Sequence, residues 1–207
     1  MYDKAMAAAV DTAQRRLMNS AEKNSVLTEA ARDLAELNEL TELIDPSKID
    51  FDKGGLERFK ANSYWNRFEE AYPRFRAVME KLARDKKILY NSNVTVKRFY
   101  SEFKQEHDRF TAIPEEERDE EYIRQAVVAE NMAMLMKSSL DEHEAVYEHI
   151  DMVLNIMEQS LNIGIYLARQ KFGRSIGDGP AAVFGGAADN SSFQAQFRQL
   201  AGLLKNK

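Results

Sequence analysis

Histidines and acidic side chains are the residues of this chain that could do chemistry, and the chain has only three histidines. A di-iron or di-manganese carboxylate centre in a helical bundle needs a Glu-x-x-His motif on two helices. No glutamate stands three positions before His107, His143 or His149, so the motif is absent. Glu142 and His149 lie two turns apart on one helical face, which is half of a metal site at best. The sequence therefore predicts no metal and no cofactor.

The other catalytic patterns are also missing. The chain has no cysteine, which excludes a thiolate nucleophile, a cysteine zinc site and a disulfide framework. It has no Gly-x-Ser-x-Gly elbow, no Walker loop and no dinucleotide fingerprint, and Gly177-Asp178-Gly179 follows no predicted strand. We predict that the protein is not an enzyme. A dispersed carboxylate site is the catalytic alternative that the sequence leaves open.

The composition favours helix along nearly the whole chain of 207 residues. Hydrophobic residues make up 44% and charged residues 30%, so a core can form. There are only nine glycines and four prolines, and five of the glycines fall between Gly173 and Gly186. Strong helix formers are plentiful elsewhere. The predicted fold class is all-α, an elongated helical bundle.

Breaks in the helical pattern divide the bundle into segments. A first helix is predicted over 3–44, ending before Asp45-Pro46 because the residue before proline avoids the α region. A second segment, with apolar residues at steps of 3 and 4 from Trp65 to Leu82, is predicted to kink or divide at Pro73. Asn91-Ser92-Asn93 is typical of a turn before a third helix, and Pro114 begins the next one.

A heptad seam dominates the C-terminal half. Its members alternate at steps of 4 and 3, and none is Asp, Glu, Lys or Arg: Tyr122, Ala126, Ala129, Ala133, Met136, Leu140, His143, Tyr147, Ile150, Leu154, Met157, Leu161, Gly164 and Ala168. An unbroken helix over 115–172 would be about 87 Å long, whereas a compact globule of this chain would be roughly 43 Å across. The helix therefore either breaks, at Ser138-Ser139 or Gly164, or belongs to an elongated bundle that has partners.

The composition changes after Phe172. We predict a helical bundle over 1–172, a flexible Gly/Ala-rich linker over 173–192 and a short tail helix over 193–205. Ser191 or Ser192 is the predicted cap of the tail helix. One apolar face of that helix is predicted to dock on a protein partner, with folding back on its own bundle as the alternative; the face consists of Phe193, Phe197, Leu200 and Leu204.

Two further partner-binding positions lie in the seam. His143 stands between Leu140 and Tyr147, where a buried polar side chain usually fixes register or partner choice. We predict His143 and Tyr147 as partner-binding residues. A contact that responds to pH is the second interpretation of His143, since imidazole titrates near neutrality.

Charge is distributed unevenly along a chain whose net charge is −5. The stretch 48–104 has 14 basic and 8 acidic residues, whereas both flanks are acidic. This predicts attraction between the basic segment and the acidic long helix, within one chain or between neighbours. The alternative function is binding of nucleic acid or an anionic membrane surface by aromatics interleaved with five basic residues. These are Arg58, Lys60, Arg67, Arg74 and Arg76.

Targeting signals are weak. No stretch approaches 18 uncharged apolar residues, so no transmembrane segment is predicted. Asp3 stands where a signal peptide carries basic charge, which argues against export, and we predict a cytoplasmic protein.

The predicted function is a non-catalytic helical interaction or assembly subunit that works by helix packing and tail docking. Its predicted partner is another protein or a second copy of the chain.

Overall fold

The computed structural model describes residues 20–51, 56–176 and 189–205. This part of the chain is 91% helical and contains no strand. Its α-helices are α1 Ser20–Leu43, α2 Leu56–Thr111, α3 Glu120–Phe172 and α4 Asn190–Lys205, with 3-10 turns at Pro46–Lys48 and Glu115–Glu117. The predicted all-α class, the long helix in the C-terminal half and the short tail helix are confirmed. Residues 3–19 of the predicted first helix and most of the predicted linker lie outside the described residues.

Helix α2 is longer than its sequence signals predicted. It runs without a break through Pro73 and through Asn91-Ser92-Asn93, so the predicted division into separate helices is wrong. Pro73 removes the hydrogen bond to the Glu69 carbonyl, but both residues are exposed, so water can satisfy that oxygen. Around the three polar residues, buried Leu89 and Val96 keep the helix packed. Packing therefore outweighs the local preference for a turn.

Helix α3 begins at Glu120 rather than at residue 115. The Asp119 carboxylate accepts a 2.8 Å hydrogen bond from the Tyr122 amide, which caps the first turn. Arg118 holds the connection by donating to the Ile113 and Thr111 carbonyls at 2.7 and 2.9 Å. The helix then continues through Ser138-Ser139 and Gly164 to Phe172, so neither of the proposed breaks occurs.

The described residues form two compact units. The bundle unit contains those up to Asp85 together with those from Val153 onward. The hairpin unit contains Lys86–Met152, which is the C-terminal part of α2, the connection and the N-terminal part of α3. Each unit has its own buried side chains.

Aromatic rings form the centre of the bundle unit. Trp65 stacks on Phe193 at 6.0 Å between centroids, and Phe51 and Phe172 contact Trp65 from other directions. The Tyr64 hydroxyl donates to the Ile44 carbonyl at 3.0 Å, which ties α2 to the end of α1. Burial raises the pKa of Tyr64 well above its usual value, so this hydroxyl remains a donor at neutral pH.

Short polar motifs begin and end the helices near this cluster. Gly173 adopts a φ of +63°, and the next amide donates to the Ala168 carbonyl at 3.0 Å, which ends α3. Helix α4 is capped by Asp189, whose carboxylate accepts from the Ser192 amide at 2.7 Å. The predicted caps, Ser191 and Ser192, instead donate their hydroxyls to that carboxylate, because a charged acceptor binds the free helix amides more strongly.

Candidate protein-interaction surface

The tail face predicted to bind a partner is buried within its own chain. Phe193, Phe197, Leu200 and Leu204 are at most 6% exposed. Gln194 donates to the Pro46 and Ile49 carbonyls at 3.2 Å each, and Lys205 pairs with Glu42 of α1 at 3.2 Å. The structure therefore has the alternative arrangement, in which the tail folds back on its own bundle and these four side chains pack inside the bundle unit.

The two partner-binding positions predicted in the seam also lie inside their own chain. His143 is buried in the hairpin unit. Tyr147 is half-buried, with its ring 6.3 Å from the Tyr90 ring and 5.3 Å from the Lys86 ammonium. Both residues thus contribute to the interior of the hairpin rather than to an outer surface.

The residues of the alternative anion-binding site are exposed but do not form one surface. Lys60, Arg67 and Arg74 recur every seven residues along one face of α2, and Arg58 and Arg76 lie on the opposite face. Arg74 donates to the Glu36 carboxylate of α1 at 3.1 Å. The interleaved aromatics are mainly core residues: Phe51, Tyr64, Trp65, Phe68 and Phe75 are buried. Phe59 is 75% exposed and Tyr72 is partly exposed, so most but not all of the rings that could stack on single-stranded nucleic acid are inside the bundle unit.

The hairpin unit pairs a basic helix with an acidic one. Its α2 part, 86–111, has six basic and three acidic residues, whereas its α3 part, 120–152, has two basic and eight acidic residues. Lys86 forms a short ion pair with Asp151, and Lys97 lies 3.7 Å from the Glu144 carboxylate. The predicted attraction between the basic segment and the acidic long helix is thus present within this unit.

Large exposed apolar side chains concentrate on the hairpin unit. Eleven are exposed among the described residues, and nine of them belong to this unit, which is less than half of the described chain. Isolated exposed apolar residues are normal on a protein surface, but a patch of them marks an interaction site. The hairpin is therefore the candidate interaction surface.

One row of exposed residues runs along α3 on the side away from its buried positions. We name it the carboxylate face because three acidic residues lie among its apolar ones; the exposed Lys137, three residues after Met134 and four before Asp141, borders it. Its members follow one another at steps of 3 or 4, and all are exposed: Ile123, Val127, Glu130, Met134, Ser138, Asp141, Ala145, Glu148 and Met152. Residues with this spacing share one helical face, so the row can receive another helix.

A second exposed row runs along α2 and carries the opposite charge. We name it the lysine face; its members, also at steps of 3 and 4, are Lys87, Tyr90, Val94, Lys97, Ser101 and Lys104. Tyr90 and Val94 are each more than half exposed, next to three lysines. Each outer row thus combines apolar contact area with charge of one sign.

The heptad seam is only one of two apolar rows on α3, and the second row, the carboxylate face, was not predicted. Its signal is present in the sequence, since Ile123, Val127 and Met134 recur at steps of 4 and 7. Which of two apolar rows on a helix is buried depends on the neighbouring helix. In the structure the seam is the inner row, apart from Tyr122 at its N-terminal end, which is 40% exposed.

Across residues 20–51, 56–176 and 189–205, no three His, Asp or Glu side chains lie close enough together to hold a metal ion. No helix within these ranges has both the length and the apolar composition to cross a membrane. Comparisons of the chain with protein-family models, curated proteins and solved structures found no match.

Proposed function

We propose that this protein is a non-catalytic helical assembly subunit that binds a protein partner through its hairpin unit. The observation that supports this function best is the concentration of exposed apolar side chains on residues 86–152. Removing such side chains from water on binding contributes about 25 cal/mol per Å² of apolar area. The bundle unit holds the tail and the aromatic cluster, and the hairpin presents the docking faces.

Native mass in extracts tests this function. The tagged chain is expressed in its own cells, and its mass in the extract is compared with that of an Ile123→Lys/Val127→Lys/Met134→Lys variant. The wild type is expected above the monomer mass of 23.7 kDa, and the variant is expected at it. Charged side chains on the carboxylate face cannot be buried against an apolar partner surface without a large desolvation cost.

A matched control carries the same added charge on the bundle unit. Asn62, Ala77 and Ala83 are exposed on α2, so Asn62→Lys/Ala77→Lys/Ala83→Lys adds three lysines away from the hairpin. This control is expected to keep the wild-type native mass. If the hairpin variant and the control have the same native mass as the wild type, the proposed docking surface is wrong.

Anion binding is the weaker candidate on this structure. Most of the aromatic residues that would stack on bases are buried, and the five basic residues lie on opposite sides of α2. It keeps a simple test: binding to anionic vesicles or RNA should weaken with Arg58→Glu/Arg76→Glu if that face of α2 is used, and with Lys60→Glu/Arg67→Glu if the opposite face is used.

A further inference from the structure

We propose that the partner of the hairpin unit is a second copy of this chain, bound head to tail with the lysine face of one copy on the carboxylate face of the next. This inference rests on the proposed function and names the occupant of its docking surface. The contact is heterologous, since two different surfaces of the chain meet. It leaves one unused face at each end of a pair, so further copies can add.

Charge complementarity is the first argument for this occupant. The lysine face carries Lys87, Lys97 and Lys104 and no acidic residue, with Lys97 also paired to Glu144 of its own hairpin. The carboxylate face carries Glu130, Asp141 and Glu148, and the exposed Lys137 borders it. The chain therefore has a matching pair of outer faces on one hairpin. Opposite charges across an interface favour the correct partner and orientation.

The lysine face and the carboxylate face also share the same residue spacing. Each row repeats at steps of 3 and 4, which is the spacing that lets the side chains of one helix fit between those of another. Tyr90 and Val94 on the lysine face provide apolar area that can pack against Ile123, Val127 or Met134. Apolar contact then supplies affinity, and the lysines and carboxylates set the pairing.

The symmetric arrangement is less favourable on electrostatic grounds. Two carboxylate faces packed together would bring six acidic side chains into one interface, with only the Lys137 that borders each row to offset them. Like charges facing each other across an interface are destabilising. The head-to-tail contact avoids this repulsion and uses the same apolar residues.

Two variants of the full chain test the arrangement, each with one face changed. The carboxylate-face variant is Ile123→Lys/Val127→Lys/Met134→Lys, and it keeps the lysine face. The lysine-face variant is Lys87→Gln/Val94→Gln/Lys104→Gln, which removes two charges and an apolar side chain while retaining helix-forming residues. Lys97 is left in place because it pairs with Glu144 of its own hairpin. Circular dichroism and thermal melts establish whether both variants fold like the wild type.

Sedimentation of the purified proteins gives the decisive result. The wild-type mass is expected to rise with concentration between about 1 and 100 µM, and each variant alone is expected to stay monomeric. An equimolar mixture of the two variants should restore association but stop at twice the chain mass, because each pair then exposes only changed faces. Raising the salt from about 50 to 500 mM should weaken wild-type association several-fold.

Three outcomes would overturn the inference. A lysine-face variant that dimerises by itself would show that two carboxylate faces pack together. If salt leaves the association unchanged or strengthens it, pairing between the lysines and the carboxylates does not hold the copies together. A wild type that stays monomeric at all concentrations would exclude the second copy. If the native mass in extracts still depends on the carboxylate face, the proposed function stands with a different partner; if it does not, both fail.

Discussion

At the scale of single residues, Gly164 is the position where the packing leaves least room. A Cβ atom added there would lie 2.8 Å from Cζ of Phe68 and 2.9 Å from Cε2 of Phe193. Both neighbours are rigid rings in the aromatic cluster, so they cannot move aside as a flexible side chain would. Glycine therefore lets the tail helix lie directly on α3.

Gly164→Ala is expected to destabilise the protein by about 1–3 kcal/mol, as overpacked core positions do. The measurement is the free energy of unfolding in urea. Gly202→Ala is the matched control, because a Cβ atom there meets nothing within 4 Å and alanine favours the helix. The control should be neutral or slightly stabilising. Equal effects at the two sites would contradict the close contact.

The stability of the tail helix depends on the ionisation of Asp189. Hydrogen bonds from the Ser192 amide and from the Ser191 and Ser192 hydroxyls lower the pKa of Asp189 to about 2. A lowered pKa in the folded state means that the stabilisation is present above the ordinary pKa of 3.8 and is lost as the pH falls toward 2. The tail should therefore loosen over this range.

Trp65 reports on the tail, because it is the only tryptophan and stacks on Phe193. Its fluorescence during unfolding is expected to show a loss of tail stability in the wild type between about pH 4 and pH 2. Asp189→Asn keeps an uncharged cap acceptor and should reduce that change. A variant with the same acid dependence as the wild type would show that Asp189 is not its source.

At the scale of elements, the contact between α1 and α2 brings the Asp85 carboxylate of α2 close to two carboxylates of α1. Burial raises the pKa of Asp85, and the nearby Asp33 and Glu29 carboxylates raise it further, against the opposing effect of Arg84 and Lys81. For an acid whose pKa is raised by folding, the stabilising contribution is present below the ordinary value of 3.8 and is lost as the pH rises through the folded pKa.

Asp85→Asn is therefore expected to raise the melting temperature at pH 7 by a few degrees and to have little effect near pH 3. Asp33→Asn is the comparison, since Asp33 lies 3.7 Å from the Lys81 ammonium and loses that pair when neutralised. The rise in melting temperature at pH 7 should be smaller for Asp33→Asn than for Asp85→Asn. A melting temperature that Asp85→Asn lowers equally at both pH values would refute the proposed repulsion.

The tail helix is an integral part of the bundle unit. Phe193 is fully buried and touches Trp65, Phe68 and Phe197. Phe193→Ala is expected to cost about 3–5 kcal/mol of unfolding free energy, because it leaves a cavity in the aromatic cluster. The exposed Gln199→Ala on the same helix is the control. A melt that Phe193→Ala leaves unchanged would mean that the tail does not belong to the core.

At the scale of the whole molecule, the two units differ in how much they bury. Of the twelve largest fully buried side chains among the described residues, only Leu89 and Ile150 belong to the hairpin unit. Amides exchange slowly where many apolar contacts must open together. At a concentration low enough to keep the chain monomeric, amides of 120–128 should exchange faster than those of 61–82. Equal protection of the two segments would contradict this distribution of stability.

The sequence by itself determined the helical class and the inner rows of the helices. Sparse glycine and proline, strong helix formers and spacings of 3 and 4 predicted α3 and the apolar face of the tail, because these features act within one helix. The absence of cysteine and of Glu-x-x-His likewise limited the chemistry without any structure.

Only the tertiary structure decided where the helices end and which faces remain exposed. Because Leu89 and Val96 are buried, α2 continues through the local turn signal between them. Phe193 contacts Gly164 because α4 returns to its own bundle. Likewise, the carboxylate face lies outside because the neighbouring helix covers the opposite row of α3. Such outcomes depend on contacts between residues far apart in the chain, and a local pattern cannot show which of its apolar faces those contacts will cover.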